Sequence, residues 1–231
     1  MSKPLLWILG DSYGENVKSI SKWKNMWTWP QEITRIFDVE NFAIAGSGPQ
    51  TQIEYFLNNA KDRELEYCSD INVIFFVSDP ARINFNFYQT PFHQTYPKVL
   101  LDNPTKIELD WKEYYKDKNK FIMNYFKYID IMPVYETEKY ISILKMYSKF
   151  FKKILVFNCF QYTDDTLATS INDEKFHLIN NPMININNDP EKFFDCPNHL
   201  SLKNHKIMYS QLVGHFLNNQ NLMHRKFLRN D

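Results

Sequence analysis

At 231 residues the chain is long enough for one α/β domain with a sizeable core and too short for two domains and a linker. Its 44% hydrophobic and 23% charged content belongs to a folded domain and excludes a disordered or fibrous chain. Lys plus Arg equals Asp plus Glu at 27 each, so the net charge carries no footprint for nucleic acid or an anionic membrane, and neither is expected as a partner.

In chain order, the first strand signal is Leu5–Leu9, followed by a helical pattern that Pro30 opens and that carries Ile33, Ile36 and Phe37. A second strand is expected over Val39–Ile44, and Pro49 opens a helix through Ile53, Phe56 and Leu57. A third strand, Ile71–Val77, precedes an aromatic-rich stretch from about 82 to 130. A structureless loop of that length is unusual, so a helix around Trp111–Tyr128 and an insertion over one face are expected. Tyr140, Ile143, Leu144, Tyr147 and Phe151 recur at helical spacing before a strand at Ile154–Phe157. Ser201 is placed to cap a last helix with Met208, Leu212 and Phe216 on one stripe. Strands alternating with helices imply a parallel sheet covered on both faces, an α/β chain of three-layer α/β/α, flavodoxin-like form over 1–231 as one domain.

The run Pro4–Leu9 is shorter than the apolar core of about 7–15 residues in an export signal, and no run reaches the roughly 18 residues of a membrane span. A cytoplasmic protein is expected, with virion association or release by lysis left open by a Lys, Asn, Ile and Phe bias typical of AT-rich genomes. Cys68, Cys159 and Cys196 are too few and too scattered for a disulfide framework or a zinc knuckle and are expected as reduced thiols. His93, His177, His215 and His224 show no metal-ligand spacing, so neither metal nor cofactor is expected.

Only five glycines occur in the chain, yet Gly10 and Gly14 bracket Ser12, and Gly46 and Gly48 bracket Ser47. The turn Gly10-Asp11-Ser12-Tyr13-Gly14 puts Ser12 at the carboxyl edge of a parallel sheet, where ligands of open α/β folds bind, with backbone N–H groups suited to a developing oxyanion. The plainer reading is a strand-end turn in which Asp11 caps a helix. Glycines at 46 and 48 allow close backbone approach to a bound group or merely admit the next helix. Far along the chain, Asp195-Cys196-Pro197-Asn198-His199-Leu200-Ser201 sets a carboxylate near a histidine, an arrangement that fixes a tautomer and stabilises an imidazolium.

Taken together, the N-terminal Gly-Asp-Ser turn, the glycine-bearing turn after the second strand and the C-terminal Asp…His-Leu-Ser before a helix resemble the SGNH/GDSL hydrolases. Trp29-Pro30 opening a long first helix, Asn41 leading the block before Gly46, and His205 six positions after His199 agree with it. The resemblance implies Ser12 as nucleophile, His199 as general base, Asp195 as its orienting acid, and the N–H groups of Ser12 and Gly46 in the oxyanion hole. The family's third oxyanion donor is an Asn in a Gly-x-Asn-Asp block, where this chain reads Phe76-Val77-Ser78-Asp79, so Ser78 stands in its place. The family's acid precedes its histidine by three positions, here Cys196. Either the loop shifts around Pro197 to use Asp195, or the pair works as a dyad.

Asp11, Gly48, Asp79 and Arg82 are the candidate substrate-binding residues. For Arg82 the alternatives are a carboxylate or sugar ligand and a structural salt bridge to Asp79. Trp23, Trp27 and Trp29 are candidates for a sugar-stacking wall, although Trp29 is expected in the core, and His205 is expected to pack or hydrogen-bond on the last helix. The implied partner is a small-molecule or glycan ester, an O-acylated carbohydrate being favoured by the aromatic insertion. The rival is a catalytically weak or inactive carbohydrate-binding domain of the same fold.

Overall fold

A computed structural model describes residues 2–15, 27–44, 47–78, 80, 133–159, 167, 170–179, 200 and 202–220. Five strands, β1 (Leu5–Leu9), β2 (Asp38–Asn41), β3 (Ile71–Val77), β4 (Lys153–Asn158) and β5 (Phe176–Ile179), form one wholly parallel sheet in the order β2-β1-β3-β4-β5. This is the flavodoxin-like doubly wound order, and it reverses between β1 and β3.

The inner strands β1, β3 and β4 read as nearly continuous apolar runs because both faces are covered. Successive residues go to opposite sides. Leu6, Ile8, Ile74, Phe76, Leu155 and Phe157 fill one core, whereas Trp7, Leu9, Val73, Phe75, Ile154 and Val156 fill the other. Helices α2 (Pro49–Asp62) and α3 (Pro133–Tyr147) close the second core with Ile53, Phe56, Ile141 and Leu144. On the first side lie α1 (Trp29–Glu32) and α4 (Leu202–Asn218), the latter through the Met208, Leu212, Phe216 stripe read from the sequence. The result is a three-layer α/β/α architecture.

The first helix is shorter than its pattern implied. One α turn passes into a 3-10 turn over Ile33–Arg35, and β2 begins at Asp38, where the Asp38 N–H meets the carbonyl of Pro4. The spacing of Ile33, Ile36 and Phe37 serves a single turn, because the chain must re-enter the sheet one residue later. Past Asn41 the ladder is no longer regular, yet the N–H of Phe42 still bonds Ile8 and that of Ile44 bonds Gly10, so the expected Val39–Ile44 strand survives as a hydrogen-bonded extension. Strand β5 was not legible in the sequence. The expected insertion near 82–130, its Trp111–Tyr128 helix, Trp23, Ser201 and Cys196 lie outside the described residues, whereas Cys68 and Cys159 are buried thiols. No described helix is long and apolar enough to cross a membrane.

At the amino end of the sheet His215, near the end of α4, is only 2% exposed. Its Nδ1–H donates to the Gln220 carbonyl at 3.2 Å, and its ring meets that of His177 from β5 edge to face at 4.8 Å. Nε2 is buried with no hydrogen-bond partner among the described residues, and Lys153 of β4 reaches the His215 carbonyl. Burial, then the Lys153 cation and His177, push the imidazole down to about 4, against the pull of the Gln220 carbonyl. The folded state therefore binds fewer protons than the unfolded state between the ordinary histidine value and about 4. Its contribution is intact above the unfolded value near 6.5 and is lost as pH falls towards 4, by about 3 kcal/mol at most. His215→Phe is expected to flatten the acid limb: the fall in Tm between pH 7 and pH 4.5 should be smaller than in the wild type, and parallel profiles would show that His215 does not govern it.

Candidate functional site

The strand order reverses between β1 and β3, and in open α/β sheets ligands bind outside the carboxyl ends of the strands at such a point. At that point β1 gives way to Gly10, whose φ of +124° lies in the region that favours glycine. A Cβ there would stand 2.5 Å from the Cβ of Phe76 and 2.6 Å from its carbonyl oxygen. Gly14 closes the same turn with an ordinary φ, and a Cβ on it would meet Ile8 Cγ2 at 2.9 Å.

Between the two glycines the chain makes one helical turn. The Asp11 carbonyl accepts from the N–H of Gly14 at 3.0 Å and of Glu15 at 3.2 Å, while the Asp11 carboxylate accepts from Tyr13 N–H at 3.2 Å. Asp11, a candidate substrate-binding residue in the sequence, is 0% exposed and caps this turn, as the plainer reading had it. The Tyr13 ring is buried, stacked on Phe76 at 6.2 Å. Ser12 alone of the three side chains is partly exposed. Among the described residues nothing accepts its N–H and nothing bonds its hydroxyl.

Carbonyls of the turn are tied down from two sides. Trp29 Nε1–H donates to Tyr13 O at 3.0 Å, and Asn41 Nδ2–H donates to Gly14 O at 2.8 Å while its Oδ1 accepts from Ala43 N–H. Trp29 is fully buried and so belongs to the core. Its own N–H points at His205 Nδ1, 3.4 Å away, which makes His205 a buried acceptor on α4.

Gly10 itself is held at both its polar groups. Its N–H donates to Gln52 Oε1 at 2.8 Å, and its carbonyl accepts from the Ser47 hydroxyl at 2.8 Å. Gln52 Nε2–H donates back to Ser47 Oγ at 2.9 Å, closing a ring of buried bonds between the first turn, the second turn and α2. Ser78, at the end of β3 and 2% exposed, donates its hydroxyl to Ser47 O at 2.6 Å. A hydroxyl has one proton to give, so in this arrangement that of Ser78 is committed to the second turn. Gly48 is the N-cap residue of α2, buried, with Pro49 in the first helical position.

The structure thus brings Asp11, Ser12, Gly48 and Ser78 to one edge of the sheet. Gly46, Asp79, Arg82, Asp195 and His199 lie outside the described residues. Leu200, next to His199 in sequence, is buried in the apolar cluster that contains Tyr13, Trp29 and Phe76. Sequence reasoning missed Gln52. Its signal was there, since position 52 falls four and eight residues before Phe56 and Ala60 on the buried stripe of α2, where a polar side chain requires a partner. Among the described residues no three His, Cys, Asp or Glu side chains gather to hold a metal ion.

Compared with known proteins, the chain matches no family model, no curated protein and no solved structure.

Gly10→Ala combines a strained φ with a backbone clash and is expected to cost about 3–5 kcal/mol. Gly14→Ala, which presses only on side chains, should cost roughly 1–3 kcal/mol. Urea unfolding of both variants checks the order, and an equal or reversed ranking would mean that the Gly10–Phe76 approach relaxes readily.

Proposed function

We propose that this chain is a serine hydrolase of the SGNH/GDSL type acting on a carboxylic ester, with Ser12 as nucleophile and His199 as general base. The observation that carries the reading is the Ser12 turn: a partly exposed serine between buried neighbours, on a turn that opens with a positive-φ glycine and is braced at Gly10, Tyr13 and Gly14, at the point where the strand order reverses. Such bracing is what a nucleophile needs to meet a carbonyl at fixed geometry. Leu200, the sequence neighbour of His199, is buried on the same face of the sheet as Tyr13.

In this mechanism Ser12 Oγ attacks the ester carbonyl as His199 takes its proton. The oxyanion is stabilised by the N–H groups of Ser12 and Gly46. Collapse breaks the bond to the leaving alcohol, which His199 protonates, and leaves an acyl group on Ser12. Water, deprotonated by His199, then releases the acid and restores the serine. Asp195 orients His199, and an O-acylated carbohydrate is the favoured substrate class, with Asp79 and Arg82 on its path. The role of Ser78 is the point of departure from the family: with its proton on Ser47 O it supports the second turn, and the hole rests on two backbone donors. Loss of one oxyanion donor costs on the order of 10²–10³ in rate, so turnover is expected to be modest.

The same commitment of Ser78 favours the second reading, a weakly active or inactive carbohydrate-binding domain. Hydrolysis of 4-nitrophenyl acetate separates the two. Ser12→Ala and His199→Ala should each lower kcat by about 10³-fold or more. Ser12→Ala should also shift stability by less than about 0.5 kcal/mol, because Ser12 is outside the core. Wild-type protein without turnover favours the binding domain, and turnover retained by Ser12→Ala removes Ser12 as the nucleophile.

A further inference from the structure

We infer that Gln52 is a positioning residue of this site, holding the Ser12 turn in its reactive shape through Gly10 and Ser47; the inference rests on the ester hydrolase reading. Glycine has little conformational preference of its own, so the +124° φ of Gly10 is set by what its neighbours bond. Those bonds are the Gly10 N–H to Gln52 Oε1 at 2.8 Å and, at the Gly10 carbonyl, the Ser47 hydroxyl at 2.8 Å beside the Ile44 N–H at 3.0 Å. The same carboxamide directs the Ser47 hydroxyl by donating to its oxygen at 2.9 Å, which leaves the Ser47 proton for Gly10 O.

A carboxamide suits the place because it joins an acceptor and a donor on one neutral fork. Carboxylate supplies acceptors only, and a thioether or alkyl group leaves the Gly10 N–H buried and unmet. Gln52 is 0% exposed and does not touch solvent, so it acts through the turns and not on a substrate. Its carboxamide bonds the residue that starts the Ser12 turn and the residue that starts the approach to α2, and Ser78 adds β3 to the same assembly through Ser47 O. Three loops at the sheet edge therefore share one buried anchor.

The experiment uses the whole chain and two readouts, steady-state hydrolysis of 4-nitrophenyl acetate and the rate at which a fluorophosphonate modifies Ser12. Gln52→Met should lower kcat by about 10- to 100-fold with KM little changed, and slow phosphonylation in parallel. Gln52→Glu is the decisive variant. Burial raises the pKa of the introduced carboxyl, and its protonated form regains a donor towards Ser47. Its kcat relative to wild type at the same pH should therefore climb as pH is lowered, a profile that a role in stability alone does not give to the folded enzyme. Ser47→Ala, which deletes the hydroxyl that Gln52 directs, should reproduce the kcat loss of Gln52→Met if that variant does not fold. Folded Gln52 variants with wild-type kcat, wild-type phosphonylation and a flat pH ratio overturn the inference and leave the hydrolase reading standing. A wild type that neither hydrolyses the ester nor is modified at Ser12 overturns the hydrolase reading instead.

Discussion

The approach of Gly10 to Phe76 is the constraint on which the carboxyl edge of the sheet depends. With a Cβ excluded by the β3 backbone, the chain leaves β1 through a conformation that only glycine holds cheaply, and the direction of everything after it follows. Phe76 is equally central on its other contacts. Its ring stacks on Phe157 at 5.0 Å and on Tyr13 at 6.2 Å, and it lies 5.8 Å from Trp29, so the aromatic floor of the site is also the centre of one core. Position and support are thus inseparable here: a change that loosens the floor loosens the turn.

The turn is braced by groups that arrive from across the chain. Asn41 comes from the end of β2, Trp29 from α1, and Gln52 from α2, while His205 ties Trp29 to α4. Each brace takes a backbone carbonyl or N–H that a tight turn leaves unsatisfied, which is the ordinary requirement for burying such a turn. What is distinctive is that the braces converge around one partly exposed serine. A braced scaffold with a single side chain released from it is the form in which preorganisation contributes to reactivity.

Much of this architecture was legible in the sequence because it rests on local pattern. Apolar runs bounded by turns fixed four of the five strands, and Pro30 and Pro49 fixed two helix starts. Strand β5 escaped because it is four residues long with only Phe176 and Leu178 buried, too brief for periodicity to register. The first helix was read too long because its apolar spacing cannot announce that the next strand is one residue away. At the site, scarcity of glycine drew attention to Ser12, but a motif does not say which of its side chains is buried. For Asp11 the motif allows both a substrate contact and a cap on the turn, and its bond from the Tyr13 N–H shows the cap. Gln52 and Ser47 could not be paired with Gly10 by inspection, since the contacts span 42 and 37 positions and use residue types common on any surface.

Strand β2 has a further consequence for how the protein behaves in a crowded solution. Among the described residues it is terminal in the sheet, and a terminal parallel strand offers N–H and C=O groups that another chain can extend into a fibril. Here the strand is only Asp38-Val39-Glu40-Asn41, with Asp38 and Asn41 exposed. Glu40 is engaged on one side by the Trp7 indole and on the other by Arg63. An incoming strand must strip water from a carboxylate and compete for an ion pair to gain a ladder of four residues, and few sequences recover that loss. The residues that make this edge a poor template for aggregation are neighbours of Asn41, so resistance to self-association and support of the Ser12 turn are written into the same short segment.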